Sequence, residues 1–269
     1  MGNKQLSVDK KYDFYEKSVQ NPEFEVDFLL ETFPKIMGKQ PTVLREDFCG
    51  TGAILCEWVK RNPEHIAHGV DLDPEPILIG KDRHWGRLSD EQKERAIYHE
   101  KNVLDVEELP ADCIVAFNFS YLIFKQRKDL LTYFKSVRSS LNNGGIFYLD
   151  LLGGPDCQTL CEEETEHKKF SYFWDCDKFN PITHEAQFYI HFEHKGVKHE
   201  KVFSYDWRLW TIPELRDLLT EAGFDEVKVY WEEDAEDEDD EGGNGNFYPT
   251  NDAETCDSWV SYIVAVAKN

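Results

Sequence analysis

Three features of the 269-residue chain predict an α/β fold with a doubly wound, mostly parallel sheet and helices on both faces. Strand and helix signals alternate from Thr42 to Leu152, as they must where parallel strands are joined by helical crossovers. A tight glycine turn, Gly50-Thr51-Gly52, joins the first of those strands to the first helix. From Lys169 to Trp210 the pattern changes to a period-two alternation rich in aromatics, which predicts an antiparallel β insertion after the fifth strand.

The elements follow in order. Residues 1–40 read as two amphipathic helices, with Tyr12, Tyr15 and Val19 near one face of the first and Phe24, Phe28 and Leu29 opening the second after a break at Asn21-Pro22. They are expected to form a helical lid. Thr42 to Asp47 reads as a strand, Ala53 to Arg61 as a helix with apolar Ile54, Leu55, Trp58 and Val59, and His65 to Val70 as a strand ending at Asp71. Pro74 suits the first turn of a helix running towards Arg87. Ile97–Asn102 and Asp112–Phe117 are the next strands, the latter apolar enough for a buried parallel strand. A helix from Arg127 to Leu141 is stopped by Asn142-Asn143-Gly144-Gly145, and Ile146–Leu152 is the fifth strand.

In the insertion, Ala186, Phe188, Ile190 and Phe192 share one strand face, and Lys195-Gly196 makes a hairpin turn to a return strand, Val197–Tyr205. The crossover pattern then resumes. Thr211 and Glu214 form a capping box around Pro213, the helix stops at Gly223, and Val227–Trp231 and Ser258–Ala267 complete a sheet of seven strands. The expected units are a lid at 1–40, a core at 41–153, a β insertion at 154–207 over the acceptor, and completion of the core at 208–269 with an acidic loop at 232–246.

Charge narrows the function. The formal net charge of −23, with nine acids between Glu232 and Glu241, opposes the basic footprint that nucleic acid or an anionic membrane requires, so neither partner is expected. The longest apolar run, Ile114 to Phe124, falls short of the roughly 20 residues of a membrane span. Seven scattered cysteines and a polar N-terminus without an apolar signal core point to reduced thiols and a cytoplasmic protein. His191 and His194 fall on opposite faces of a strand, and Cys157 and Cys161 lack a second ligand pair, so no metal is expected.

A strand, a glycine loop and a helix build a site for a nucleotide-like ligand, because glycine lets the backbone approach it closely. An acid at the end of the next strand supplies an acceptor for ribose hydroxyls. Asp71 stands 21 residues beyond Gly50, close to the roughly 20 such a site requires. Leu44 to Gly52, ending Cys49-Gly50-Thr51-Gly52, resembles the first motif of class I, Rossmann-like S-adenosylmethionine (SAM)-dependent methyltransferases, with Glu46 at the motif acid. Gly69-Val70-Asp71 resembles their second motif, Asn102-Val103-Leu104-Asp105 the third, and Asn118 to Tyr121 holds the position of the fourth. Leu141 to Gly145 and Glu221 to Phe224 resemble later landmarks, so the likeness spans about residues 40–152 and 208–268.

The resemblance implies SAM as cofactor, held by Tyr15, Glu46, Phe48, Cys49, Gly50, Gly52, Asp71, Leu72, Asn102, Val103 and Asn118. Two positions depart from the pattern. Phe48 stands where the first loop glycine lies and is expected to shift the loop, and Asn102 replaces a common Asp while keeping a hydrogen bond for an adenine edge. A nicotinamide-type fingerprint fails because Gly50-Thr51-Gly52 is followed by no third glycine at the corresponding turn of the helix.

Methyl transfer is an in-line displacement needing alignment and dryness more than a fixed catalytic set. Acceptor-side candidates are therefore Asn118 and Tyr121, which share the spacing of an Asn-Pro-Pro-Tyr motif, Arg208 as a carboxylate anchor, and the aromatics Trp174, Tyr205, Trp207 and Trp210. The expected function is methyl transfer by a monomer or homodimer to nitrogen or oxygen of a small molecule. A protein methyltransferase drawing a basic substrate to the acidic loop, and a non-catalytic SAM-binding protein, are the alternatives.

Overall fold

A computed structural model describes residues 6–106, 109–234 and 243–268. Ser7 and Asn21 cap α1 (Val8–Val19) and α2 (Pro22–Met37) by accepting from backbone N–H groups, so the Asn21-Pro22 break is a helix start with proline at the first turn. There follow β1 (Val43–Asp47), α3 (Ala53–Arg61), β2 (Ile66–Asp71), α4 (Pro74–Arg83), the short α5 (Asp90–Lys93), β3 (Ala96–Glu100), β4 (Ala111–Ala116), α6 (Arg127–Ser140) and β5 (Leu141–Gly153). The insertion holds β6 (Glu162–His167), β7 (Phe170–Phe179), β8 (Glu185–His194) and β9 (Val197–Arg208). The chain closes with α7 (Ile212–Glu221), β10 (Glu226–Asp234), β11 (Gly243–Thr250) and β12 (Trp259–Ala267).

The main sheet has the order β11-β10-β12-β5-β4-β1-β2-β3. The strands from β3 to β5 pair in parallel, whereas β12, β10 and β11 pair antiparallel. All seven expected strands are present and β11 adds an eighth at the edge. Sequence reading placed Gly243 to Asn246 in a loop because glycine and asparagine disfavour strands. An edge position tolerates them, and tolerates Pro249, because one side of the strand needs no pairing. Of the acidic loop expected at 232–246, residues 232–234 end β10 and 243–246 begin β11, and 235–242 lie outside the described residues.

Both faces of the sheet are covered. Leu44, Val115, Tyr148 and Val264 pack against α2 and α3 through Val26, Leu29, Phe33 and Trp58. Their alternating neighbours Ile114, Phe147, Leu149 and Ile263 pack against α6 and α7 through Tyr133, Phe134 and Leu215. On that second face Arg45 is fully buried and pairs with Asp47, which also accepts from the Tyr133 hydroxyl at 2.9 Å. The second sheet, β6-β7-β8-β9, is antiparallel throughout. Its β8–β9 hairpin turns at Lys195-Gly196 with φ of 55° and 71°, the paired positive values of a type I′ turn. β6 was not legible, because its run of glutamates is mostly exposed and carries no apolar alternation. Among the described residues no helix is long and apolar enough to cross a membrane.

Asp112, at the start of β4, fixes the entry of β1. Its carboxylate accepts from the N–H groups of Thr42 and Val43 at 2.9 and 3.0 Å and from the Asn142 amide at 3.0 Å. Burial works against its charge, but these hydrogen bonds win and hold the carboxyl below 3.8. A depressed folded pKa stabilises above the unfolded value and loses that contribution as pH falls through the folded one. Asp112→Ala is expected to cost about 1–3 kcal/mol in urea melts at neutral pH, with the difference from wild type shrinking below about pH 4.

Candidate active site

The loop after β1 is built from four residues that each solve a different problem. Phe48 takes φ of 58°, the left-handed conformation glycine adopts freely, at a cost of about 1–2 kcal/mol. Its ring turns into the core against Phe124 and Tyr133, with the nearer centroids 5.8 Å apart. The Cys49 N–H donates to Val70 O at 3.0 Å and carries the β1–β2 pairing one residue further.

Gly52, at φ of 67°, begins α3 without a capping side chain, and a Cβ there would lie 2.5 Å from the Tyr98 hydroxyl oxygen. Glu46 replaces the missing cap by accepting from the Leu55 N–H at 2.9 Å, so this motif acid faces the helix start and is buried beneath the loop. Burial pushes its carboxyl well above the usual range. Gly50, at φ of 53°, is different in kind, because a Cβ there would meet nothing within 4 Å. Its bare backbone faces open space, and its N–H donates to Asp71 Oδ2 at 2.7 Å.

Asp71 also accepts from the Asp73 N–H at 2.9 Å through Oδ1, and the Leu72 backbone adds a further hydrogen bond to the carboxylate. Leu72 beside it is two-thirds exposed, at 66%. After β3, Asn102 Oδ1 accepts from the Leu104 N–H at 3.0 Å, which leaves its amide N–H2 outward, and Val103 is buried. Gly50, Asp71 and Asn102 thus stand in sequence along the carboxyl edge of β1, β2 and β3.

Helix α1 closes on this edge. Glu16 accepts from the Thr51 hydroxyl at 2.7 Å and from Arg83 at 2.8 Å, and it bonds His84 at 2.8 Å. The Tyr12 hydroxyl donates to Glu75 at 2.9 Å. Near the same face of the helix Tyr15 packs against Phe203 at 4.7 Å and lies beside Tyr205.

A cavity of about 410 Å³ opens beyond β4 and β5, between the main sheet, α1, α2 and the second sheet. Its aromatic walls are Tyr15, Tyr172, Trp174, Tyr205, Trp207 and Trp259. Asn118 and Asp150 form its floor. Asp150 accepts from the N–H groups of Asn118 and Phe119 at 2.7 and 2.9 Å, pinning a turn in which both residues have φ of 56°. Burial raises the Asp150 carboxyl to about 7. Glu25 of α2 lines the same cavity with a buried carboxylate oxygen that has no hydrogen-bond partner among the described residues.

Three acceptor-side candidates lie elsewhere. Tyr121 is fully buried and donates to Asp150 O at 2.8 Å, so the Asn118–Tyr121 spacing brings only Asn118 to the cavity. Arg208 is held by Glu214 at 3.0 Å and stacks on Trp210, away from the cavity, so it anchors no carboxylate there. Trp210 donates to Phe124 O and is buried in the core. His191 gathers Glu162 and Asp175 instead of another histidine. Its Nδ1 accepts from the Lys201 N–H at 2.6 Å, which places the ring proton on Nε2 facing Asp175 at 3.0 Å, so both nitrogens are spent within the protein. Cys157, Cys161 and Cys176 share one end of the cavity wall.

Sequence reasoning missed Glu25, Asp150 and Tyr98. Glu25 had a usable signal, since positions 25, 28, 29, 32 and 33 form the buried stripe of α2 and an acid there breaks the apolar pattern. Asp150 likewise interrupts an apolar strand. The role of Tyr98 depends on a contact across 46 positions of sequence and leaves no local trace.

No protein-family model and no curated protein matches the sequence. Solved structures match the fold over nearly the whole chain. A SAM-dependent methyltransferase from Clostridium acetobutylicum is 14% identical with a TM-score of 0.70, covering 97% of this chain and 98% of that one. The fold is that of SAM-dependent methyltransferases. SAM-bound CalS10, an amino pentose methyltransferase from Micromonospora echinaspora, is 12% identical with a TM-score of 0.65 over 99% of each chain. The sugar N-methyltransferase KedS8 from Streptoalloteichus is 15% identical with a TM-score of 0.65, covering 100% of this chain and 96% of that one.

The two glycines are expected to separate by mutation. Gly50→Ala should leave the melting temperature within about 5 °C of wild type, the left-handed strain being its main cost, while S-adenosylhomocysteine (SAH) affinity falls at least about tenfold. Gly52→Ala should melt distinctly lower, because its methyl group overlaps Tyr98 whether or not a ligand is present.

Proposed function

We propose that this protein is a SAM-dependent methyltransferase acting on nitrogen of a small-molecule acceptor. The observation that carries the reading is the bare backbone at Gly50, open to ligand and braced by Asp71, at the edge of a sheet whose next carboxyl ends lead into an aromatic cavity. The residues present fit the cofactor. Asp71 offers acceptors to two ribose hydroxyls, Asn102 and the Val103 backbone face the adenine position, and Gly50 admits the close approach of the amino acid portion. When bound, SAM supplies an electrophilic sulfonium methyl.

The protein's own contribution is placement and dryness. Asn118 gives its N–H to Asp150, so its side chain and carbonyl remain for ligand. Helix α1, latched by Glu16 to Thr51 and Arg83, covers the donor loop, and Tyr15 bridges from that latch to the cavity wall. We infer that residues 1–40 act as a lid over the donor and 154–207 as a lid over the acceptor. The size of the cavity suits a small molecule. CalS10 and KedS8 act on an amino pentose and a sugar nitrogen, which supports nitrogen as the acceptor atom here.

Calorimetry tests the donor side. SAH should bind the wild type with micromolar affinity, and Asp71→Ala should weaken it roughly 30- to 150-fold, as loss of about 2–3 kcal/mol from two hydrogen bonds of ordinary net strength implies. A folded wild-type protein that fails to bind SAH would sink the reading.

A further inference from the structure

Helix α2 carries two polar residues on its buried stripe, Glu25 and Thr32. The Thr32 hydroxyl is satisfied, donating to Phe28 O at 2.6 Å. Glu25 is not, among the described residues, although it is buried and a carboxylate without a partner is costly to bury. A protein keeps such a group where a ligand completes it. We propose that the Glu25 carboxylate is the anchor and proton acceptor for an ammonium group on the acceptor, and that it makes the cavity select an amine over an alcohol or a carboxylate. This deepens the methyltransferase reading and rests on it.

Three further features of the cavity agree. Its lining includes four acids, Glu25, Asp150, Asp156 and Glu163, and no lysine, arginine or histidine, so an anionic acceptor would meet only repulsion. Tyr15, Tyr172, Trp174, Tyr205 and Trp207 offer ring faces of the kind that attract ammonium ions. Asp150, the nearest rival for the role, has both oxygens engaged by the Asn118 and Phe119 N–H groups and acts as a positioning residue for that turn.

The groups whose charge reaches Glu25 are Asp150 from β5, Tyr15 from α1, Tyr262 from β12 and Glu46 from β1. Burial first and Asp150 second raise its carboxyl to about 8, so the empty site holds a proton at neutral pH and gives it up to solvent as the ammonium ion enters; the carboxylate so formed has a raised affinity for the amine proton.

The chemistry balances without a further reagent. An ammonium nitrogen has no lone pair, so its N–H bond must break first, and the proton passes to Glu25. The freed lone pair forms the new nitrogen–carbon bond as the carbon–sulfur bond of the sulfonium donor breaks, and the bonding electrons stay on sulfur. The product leaves as a methylated ammonium ion, and the proton on Glu25 returns to solvent.

Saturation-transfer NMR on the full chain with SAH bound tests the assignment, using cyclohexylamine, cyclohexanol and cyclohexanecarboxylate as probes. Glu25→Gln is nearly isosteric and puts a neutral amide in place of a buried acid, so it is expected to fold. Cyclohexylamine should bind wild type at least about tenfold more tightly than the other two, and Glu25→Gln should erase that preference while SAH affinity stays within about twofold. Equal binding of the alcohol, an amine preference that survives Glu25→Gln, or absence of amine binding would overturn the assignment. A parallel loss of SAH affinity in Glu25→Gln would also overturn it, by placing Glu25 on the donor. Failure of SAH to bind wild type would instead bring down the methyltransferase reading and the proton step with it.

Discussion

The hydrogen bond from the Gly50 N–H to Asp71 constrains everything around it. It holds the loop after β1 against the end of β2 and fixes which side of the glycine backbone stays open. To keep that side open, the residues before and after it accept unusual conditions. Phe48 takes a left-handed conformation and hides its ring in the core. Gly52 gives up a capping side chain to clear Tyr98, and Glu46 caps α3 from below. Tyr98 in turn donates to Thr51 O at 2.8 Å, closing the loop from the β3 side. The ligand surface is thus a by-product of backbone geometry held from every side but one.

Electrostatics divide the site into two halves. Beneath the loop and at the cavity floor the acids have N–H partners: Glu46 with Leu55, Asp71 with Gly50 and Asp73, and Asp150 with Asn118 and Phe119. Along the same cavity the Glu25 carboxylate has none among the described residues. The net charge of −23 is therefore more than a surface property, because the cavity itself is lined by acids without counter-cations. Tyr15, on a helix latched to the donor loop and facing the acceptor cavity, links the two halves physically.

Much of the frame was legible in the sequence because it depends on local rules. Period and punctuation located β1 to β5, the capping box of α7 and the Lys195-Gly196 turn, and spacing located Gly50 and Asp71. The resemblance added Asn102 and Asn118. What escaped depends on tertiary contact. Tyr121 and Arg208 have the residue types of a site but are consumed by Asp150 O and Glu214. The edge strand β11 has loop composition and exists because β10 offers it a partner. Glu25 was masked by the habit of reading an acid on a helix as solvated, when its place on the apolar stripe contradicts that.

One continuous site is expected to run from the open face of Gly50 to the Glu25 carboxylate. The structure of the SAH complex tests this most directly. Ribose hydroxyls should lie on Asp71, adenine beside Asn102, and the sulfur atom should face the cavity that Glu25 and Tyr15 line. SAH bound with Asp71 untouched, or with its sulfur turned away from that cavity, would contradict it.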